Sequence, residues 1–373
     1  MPRLLRHIIF SGSPILLACL AGGQSMAPSG SGPTPKTTEQ AFKNIQVLKG
    51  APADQLIPTM QFVSASLGVE CDFCHVPGSF EKDDKAPKQK AREMMQMMFA
   101  IDQRNFKGER EVTCYSCHRG STRPVAAPPV AEAAAKLEIP AEKTGGEALP
   151  PNLPSPAQVV DKYIQAVGGA QAIQSVSSRV GKGTATVEGQ PTAFELFAKA
   201  PNKRAAILHF SRGDSVTAFD GQNGWLGSAG RRTRDVGGAE LEAMRVDADF
   251  YFPLHLTGTF KDLRMAKPEK IGDQEAYVLV GIPDAQPPVK LYFDEQSGLL
   301  LRMLRYSETL LGRLPTEIDY ADYRDAGGAK TPYRWTLARA SGRFTVQIDQ
   351  LQVNVPVDDS RFAKPPEPPP DKP

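Results

Sequence analysis

Two short motifs place histidine directly after a pair of cysteines. Residues 71–75 read C-D-F-C-H and residues 114–118 read C-Y-S-C-H, so the motifs hold four of the five cysteines in the chain. In a C-x-x-C-H motif the two thiols can form thioethers with haem, and the adjacent imidazole can ligate the iron. The two motifs therefore predict two covalently bound haem c groups. Their residues are Cys71, Cys74, His75, Cys114, Cys117 and His118.

Zinc is the main alternative for the same cysteines. Two C-x-x-C pairs can form a tetrahedral site with four sulfur ligands when a fold brings the pairs together. Such a site does not require histidine straight after each pair, and haem c is attached outside the cytoplasm, which agrees with an export signal at the start of the chain. The pattern favours haem.

Residues 1–27 carry the features of a secretory signal. Arg3 and Arg6 are followed by an interrupted apolar stretch over residues 8–20 and then by small residues up to Ala27. This pattern predicts export to the periplasm and cleavage near Ala27. Cys19 follows L-L-A, which partly matches a lipoprotein cleavage site, so lipidation of Cys19 and membrane anchoring is the alternative.

Composition divides the rest of the chain. We predict a flexible N-terminus over residues 28–37, a dihaem domain over 38–122, a linker over 123–154 that is rich in Ala, Pro, Glu and Gly, a second domain over 155–363, and a Pro-rich tail over 364–373. The formal net charge of +2 gives no electrostatic footprint for nucleic acid.

Each predicted iron needs a second axial ligand, and the haem segment has no spare histidine. Apolar periodicity predicts a helix over residues 53–67, ended by Gly68, and Met60 lies on its apolar stripe. A second helix is predicted over residues 86–106. It carries Met94, Met95, Met97 and Met98, and spacing alone does not choose among these four. Methionine on an apolar stripe also fills cores, which is the alternative role for each of them.

The segments 60–75, 91–101 and 112–120 together resemble one haem pair of the cytochrome c subunit of bacterial photosynthetic reaction centres. The similarity covers residues 43–122 and includes the order helix, loop, C-x-x-C-H twice. It implies that a methionine on the preceding helix caps each haem, which selects Met60 for the first haem and Met94 for the second. That subunit has four haems, whereas this chain has one pair and no histidine over residues 103–113, so a self-contained dihaem unit is expected and a role in photosynthesis is not implied.

Two irons that each bind histidine and methionine have no vacant position for a substrate. We therefore expect one-electron transfer without enzyme activity, with redox proteins as partners, including a membrane electron-transfer complex or a reaction centre. The alternatives are a haem enzyme such as a peroxidase, which needs an open position, and a non-redox interaction protein that is stapled by a metal or binds lipid.

Residues 155–363 predict an α+β domain, so the expected fold is a mainly α dihaem domain followed by a curved antiparallel sheet or open barrel. A helix opens it over residues 156–167, and a second helix near residues 239–250 is expected inside the sheet. The domain loosely resembles periplasmic lipoprotein carriers, which implies contact with a lipid, a lipoprotein or another protein through a concave face. No catalytic motif is present, and His209 and His255 are isolated in sequence. The strand-like stretches are 180–188, 192–198, 204–210, 215–219, 276–282, 289–293, 299–306, 317–323, 333–340 and 344–353.

Overall fold

A computed structural model describes residues 36–124, 149–187, 189–228, 231–260, 262–283, 287–339 and 342–365. The predicted signal peptide, most of the predicted linker and most of the Pro-rich tail lie outside these residues. The described residues belong to one compact unit. The domain boundaries predicted from composition stay predictions.

The first part of the chain is helical, as the apolar periodicity predicted. Gly68 ends α2 with a φ of 66°, a left-handed conformation that glycine adopts without steric cost. A proline in the first turn of α4 lacks only an N–H that would have no partner there. The helices are α1 (Thr38–Ala41), α2 (Leu56–Leu67), α3 (Cys71–Cys74), α4 (Ala86–Asn105) and α5 (Cys114–His118).

The second part of the described chain forms one sheet of fourteen strands in which all neighbours are antiparallel. The strands are β1 (Ser178–Val187), β2 (Gln190–Lys199), β3 (Lys203–Phe210), β4 (Gly213–Phe219), β5 (Gly224–Ser228), β6 (Arg231–Val236), β7 (Leu263–Met265), β8 (Glu269–Ile271), β9 (Gln274–Gly281), β10 (Val289–Asp294), β11 (Leu300–Thr309), β12 (Gly312–Ala326), β13 (Ala329–Arg339) and β14 (Gly342–Val353). Their order is β6-β5-β4-β3-β2-β1-β14-β13-β12-β11-β10-β9-β7, and β8 pairs with β9. The sheet is not closed into a barrel, so of the two predicted forms it takes that of a curved antiparallel sheet.

Four helices accompany the sheet in the described residues: α6 (Pro156–Ala166), α7 (Gly169–Ser175), α8 (Gly238–Ala248) and α9 (Phe252–Thr259). The α8 helix contacts both β3 and β11, although five strands separate these two along the sheet. The sheet must therefore curve for both strands to reach one helix. The main core lies between α6, α7, α9 and β9 to β11, where side chains such as Tyr163, Leu256, Leu291 and Phe293 are buried.

The helical segment packs against the hairpin that joins β11 and β12. Leu311, which is fully buried, and Leu314 belong to the same apolar cluster as Phe62 of α2 and Met95 and Met98 of α4. The backbone N–H of Leu310 donates to Thr59 Oγ1 at 3.2 Å, which adds a polar link to the apolar one. The sheet thus completes the core of the helical segment.

Several elements differ from the sequence predictions. β11 runs to residue 309 and β12 begins at residue 312, so the predicted strands at 299–306 and 317–323 stopped short of the hairpin that contacts the helices. The strands β5 to β8 and the helices α1, α3, α5, α7 and α9 were not predicted. Among the described residues, none of the helices combines the length and apolar character that a membrane span requires.

Candidate functional site: two cysteine and histidine turns

Each C-x-x-C-H motif forms a short helical turn, α3 for the first and α5 for the second. In a helical turn residues i and i+3 share a face, so each cysteine pair presents both thiols to the same side. None of the four thiols is in a disulfide, and Cys71 and Cys117 are exposed whereas Cys74 and Cys114 are partly buried. Burial raises the pKa of the Cys74 and Cys114 thiols.

Both motif histidines are oriented by a backbone carbonyl. His75 Nδ1 lies 2.9 Å from the carbonyl oxygen of Phe80, and His118 Nδ1 lies 2.8 Å from that of Ser121. A carbonyl oxygen only accepts hydrogen bonds, so Nδ1 must carry the proton in each imidazole. The lone pair is then on Nε2, which is the tautomer and orientation that a metal-ligating histidine needs.

The segment that carries these turns exposes several large apolar side chains. Large apolar side chains usually face the interior, yet five of them in this short segment are at least 36% exposed. One of the five, Phe80, also contacts the His75 ring with centroids 5.4 Å apart. At each turn a haem would meet two unpaired thiols and one imidazole nitrogen. It would also cover exposed apolar side chains of this segment. The five are Phe42, Phe73, Phe80, Met97 and Phe106.

Burial separates the four methionines of α4 that spacing could not separate. Met95 and Met98 are 8% and 5% exposed and fill the apolar cluster, so core packing accounts for both. Met97 is 49% exposed, and Met94 is partly buried outside the cluster. Met60 is partly buried at the edge of the cluster. Met60 and Met94 stay predicted iron ligands.

A close backbone contact fixes the second turn against α2. The Gly120 N–H donates to the Ser66 carbonyl at 2.9 Å, and a Cβ on Gly68 would lie only 2.3 Å from the Gly120 carbonyl oxygen. Gly68 therefore serves two purposes, since it ends α2 and leaves room for the chain that follows His118. Helix α5 also contacts α4, and α4 contacts α3, so α4 touches both cysteine and histidine turns.

The geometry does not support one zinc site built from both cysteine pairs. Within the described residues, which include all four motif cysteines, no group of three or more His, Cys, Asp or Glu side chains is close enough to hold a metal ion. The two pairs would have to move together to form four sulfur ligands around one ion.

His209 on β3 and His255 on α9 are isolated in sequence, yet each has a carboxylate neighbour in the fold. His209 Nδ1 is 2.8 Å from Asp214, and its Nε2 is 3.5 Å from Glu195. His255 Nδ1 is 2.9 Å from Asp249. The paired residues are five, six and fourteen positions apart in the sequence, and no sequence motif predicts these pairs.

Comparisons with known proteins agree with the first part of this description. Residues 24–145 match the family model of the photosynthetic reaction centre cytochrome c subunit. The reaction centre cytochrome c subunit of Thermochromatium tepidum is 35% identical over 101 residues, which are 26% of this chain and 25% of that protein. Cytochrome c-554 of Chloroflexus aurantiacus is 34% identical over 85 residues, or 21% of this chain and 20% of that protein. The match thus spans a quarter or less of the length of these relatives.

Among solved structures, a LolA superfamily protein from Nitrosomonas europaea is 15% identical with a TM-score of 0.39, and covers 57% of this chain and 99% of its own. A putative outer membrane lipoprotein-sorting protein domain from Vibrio parahaemolyticus is 12% identical with a TM-score of 0.38, and covers 54% of this chain and 97% of its own. The family match confirms the resemblance read from the motifs. The N-terminal part of the chain is similar to the cytochrome c subunit of photosynthetic reaction centres.

Proposed function

We propose that this chain is an exported dihaem cytochrome c that transfers single electrons. The observation that supports this most strongly is the repeated geometry of the two turns. In both, the thiols are unpaired and the histidine Nδ1 donates to a carbonyl, so Nε2 is available as a ligand. The similarity to two cytochromes c points in the same direction.

Each motif would bind one haem. Cys71 and Cys74 would attach the first haem, Cys114 and Cys117 would attach the second, and His75 and His118 would ligate the irons. When bound, haem supplies a reversible one-electron change between ferrous and ferric iron. Met60 and Met94 would serve as the second protein ligands of the irons, which would leave no open position for a substrate and favour electron transfer over catalysis. Thioether ligation and burial both favour the reduced iron and raise the potential.

The sheet would hold the haem unit in place and supply a surface for partners. Its β11 and β12 hairpin shares a core with α2 and α4. The proposed partners are redox proteins, including a membrane electron-transfer complex or a reaction centre. The proposed location is the periplasm, where the protein is either soluble or anchored to the membrane through a lipid on Cys19.

An absorption spectrum tests this function. The chain is produced with the c-haem attachment machinery, and spectra are recorded oxidised and after reduction with dithionite, with a pyridine haemochrome count. We expect two haems per chain and the weak near-infrared band of methionine bound to ferric iron. Absence of that band together with binding of carbon monoxide would favour a haem enzyme, and a chain without covalent haem would contradict the proposal.

A further inference from the structure

Lys88, in the first turn of α4, contacts the loop that follows the first C-x-x-C-H turn. Its ammonium group donates to three consecutive carbonyl oxygens, those of Phe80 at 2.9 Å, Glu81 at 3.0 Å and Lys82 at 2.6 Å. Lysine is rarely buried, yet Lys88 is only 8% exposed. A buried ammonium group that donates hydrogen bonds to three carbonyl oxygens holds the loop that contains them in one conformation.

One of those carbonyls also orients the predicted iron ligand. The Phe80 oxygen accepts from His75 Nδ1 at 2.9 Å and from Lys88 Nζ at 2.9 Å. A cation that bonds to a carbonyl draws electron density from it, so the oxygen becomes a weaker acceptor for the imidazole N–H. The imidazole is then a weaker donor to iron. His118 differs, because no lysine donates to its Ser121 partner among the described contacts.

Lys88, Asp83 and Arg92 form a cluster of linked charges. Asp83 lies 3.0 Å from Lys88 and 2.9 Å from Arg92. Hydrogen bonds from Arg92 and Lys88 hold the pKa of Asp83 well below its ordinary value, so Asp83 stays ionised. Two cations and one carboxylate leave a single positive charge. Because Lys88 and Arg92 have side chains only 10% and 12% exposed, water screens this charge less than it screens a surface ion.

We infer that Lys88 is a positioning residue that raises the reduction potential of the haem ligated by His75. The inference rests on the proposed function, because it requires a haem at that turn. Both effects have the same sign. A nearby positive charge disfavours the more charged ferric iron, and a weaker imidazole donor stabilises ferric iron less. Lys88 would thus make the first haem a better electron acceptor than its ligands alone would make it.

Redox titration of the holoprotein tests the inference. Lys88→Met removes the charge and the donors, and we expect the one-electron equilibrium of the first haem to shift at least tenfold toward the ferric state, which corresponds to a fall of about 59 mV. The second haem should not move. Lys88→Arg keeps the charge and several donors and should preserve most of the potential. Lys90→Met is the control, since Lys90 is on the same helix with a side chain 68% exposed.

The potentials are assigned with a variant that retains only the first haem, made by Cys114→Ala together with Cys117→Ala. If wild-type protein carries two haems but Lys88→Met leaves the first potential unchanged, or shifts both haems equally, the inference is wrong and the proposed function stands. If Lys88→Met does not fold, the Lys88→Arg and Lys88→Gln pair decides, because only Gln should lower the potential. A chain without haem would overturn both.

A separate observation concerns arginines on the concave face of the sheet. Arg179 on β1 and Arg204 on β3 both pair with Ala198 on β2, so they lie in one row about 10 Å apart with a small side chain between them. The Arg179 guanidinium stacks over Phe250 at 4.4 Å, and its buried Nε has no hydrogen-bond partner among the described residues.

Across the curved sheet, Arg305 on β11 and Arg339 on β13 both pair with Thr316 on β12. Asp247 of α8 accepts from Arg305 at 2.7 and 2.9 Å and interacts electrostatically with Arg204 and Arg339 as well. Three guanidinium groups therefore surround Asp247, and Glu240, which pairs with Arg234, also interacts electrostatically with Arg339. An excess of partly buried positive charge is costly unless an anion compensates it.

A cavity of about 290 Å³ reaches the cluster at Arg305. Its lining combines apolar side chains such as Phe260, Val289 and Met303 with the charged side chains of Glu242, Arg245 and Asp249. We propose that Arg179, Arg204, Arg305 and Arg339 form a site for a small anionic molecule, bound through a carboxylate or phosphate group with an apolar part in the cavity. Arginine suits both groups because its planar fork can donate two parallel hydrogen bonds.

Isothermal titration of the holoprotein tests this site with octanoate, inorganic phosphate and the uncharged octanol as probes. We expect one of the two anions to bind and octanol not to bind, and the better anion identifies the group recognised. Arg204→Met should weaken that binding at least tenfold, Arg204→Lys less so, and Arg264→Met not at all, because Arg264 is exposed and paired with Asp262. Binding of neither anion, or binding unchanged in a folded Arg204→Met protein, would overturn the proposal.

Discussion

Truncation of Leu311 to alanine tests whether the sheet completes the helical core. Leu311 is fully buried among Phe62, Met95 and Met98, which all belong to the helical segment. The change removes three carbon groups, worth about 2.4 kcal/mol of transfer free energy at about 0.8 kcal/mol each. The cavity left behind adds to this, so the local free energy of unfolding should fall by about 3 to 4 kcal/mol.

Hydrogen exchange followed by mass spectrometry measures this locally. In Leu311→Ala the amides of α2 and α4 should exchange roughly 140- to 700-fold faster, because about 1.4 kcal/mol corresponds to a factor of ten and opening of the segment governs their exchange. Leu279→Ala is the matched control, since Leu279 is also fully buried but lies in the core beneath the sheet. Unchanged exchange in α2 and α4, or equal acceleration by the Leu279 variant, would refute the reasoning.

Three further predictions concern single positions. Gly68→Ala should destabilise the protein by about 2 kcal/mol more than Gly50→Ala, because both have positive φ but only a Cβ at position 68 would meet backbone atoms; urea unfolding measures the difference, and equal losses would contradict it. Asp247→Asn should cost about 2 kcal/mol at pH 7. Burial raises the pKa of Asp247 in the folded protein, but Arg305 outweighs that effect and the pKa is lowered. The stability that the ion pair contributes is therefore present above the unfolded pKa of about 4 and is lost as the pH falls below it. The unfolding free energies of wild type and variant should converge in acid, and a constant difference would be evidence against the ion pair. Met94→His should keep the second haem six-coordinate and lower its potential, whereas Met97→His should have little effect, and the reverse result in a redox titration would show that Met97 is the ligand.

The sequence predicted what depends on local pattern. Apolar periodicity located α2 and α4, and alternation located most strands of the sheet, because both signals arise from neighbours within one element. The edge strands were missed for a physical reason. β6 carries three arginines and lies at one end of the sheet, where charged side chains discourage pairing with other chains. These charged residues replace the alternation of apolar and polar residues by which a strand is predicted.

The contact between the hairpin and the helices could not be read from pattern alone. Phe62 and Leu311 are far apart in sequence, and only the fold brings them together. One signal was available, since Leu310 and Leu311 would be two adjacent exposed leucines at the tip of a hairpin unless something covered them. The same limit applies to the methionines of α4. All four lie within five consecutive residues, and only burial in the fold removes Met95 and Met98 from the choice.

The site itself was predictable in composition and not in its supporting contacts. The C-x-x-C-H motifs named the thiols and imidazoles directly. The carbonyls that orient the imidazoles lie three and five residues further on, in loops without a recognisable pattern. Lys88 and Lys90 are two lysines near the start of α4, and only the burial of Lys88 against the loop distinguishes it from Lys90.

The intact mass of the matured protein tests the central claim most directly. We predict an increment of two covalently attached haem groups over the mass of the processed polypeptide. The pair Cys71→Ala and Cys74→Ala should remove one of them, and the pair Cys114→Ala and Cys117→Ala should remove the other. A polypeptide without added haem mass, or one whose cysteines bind zinc in its place, would contradict the account.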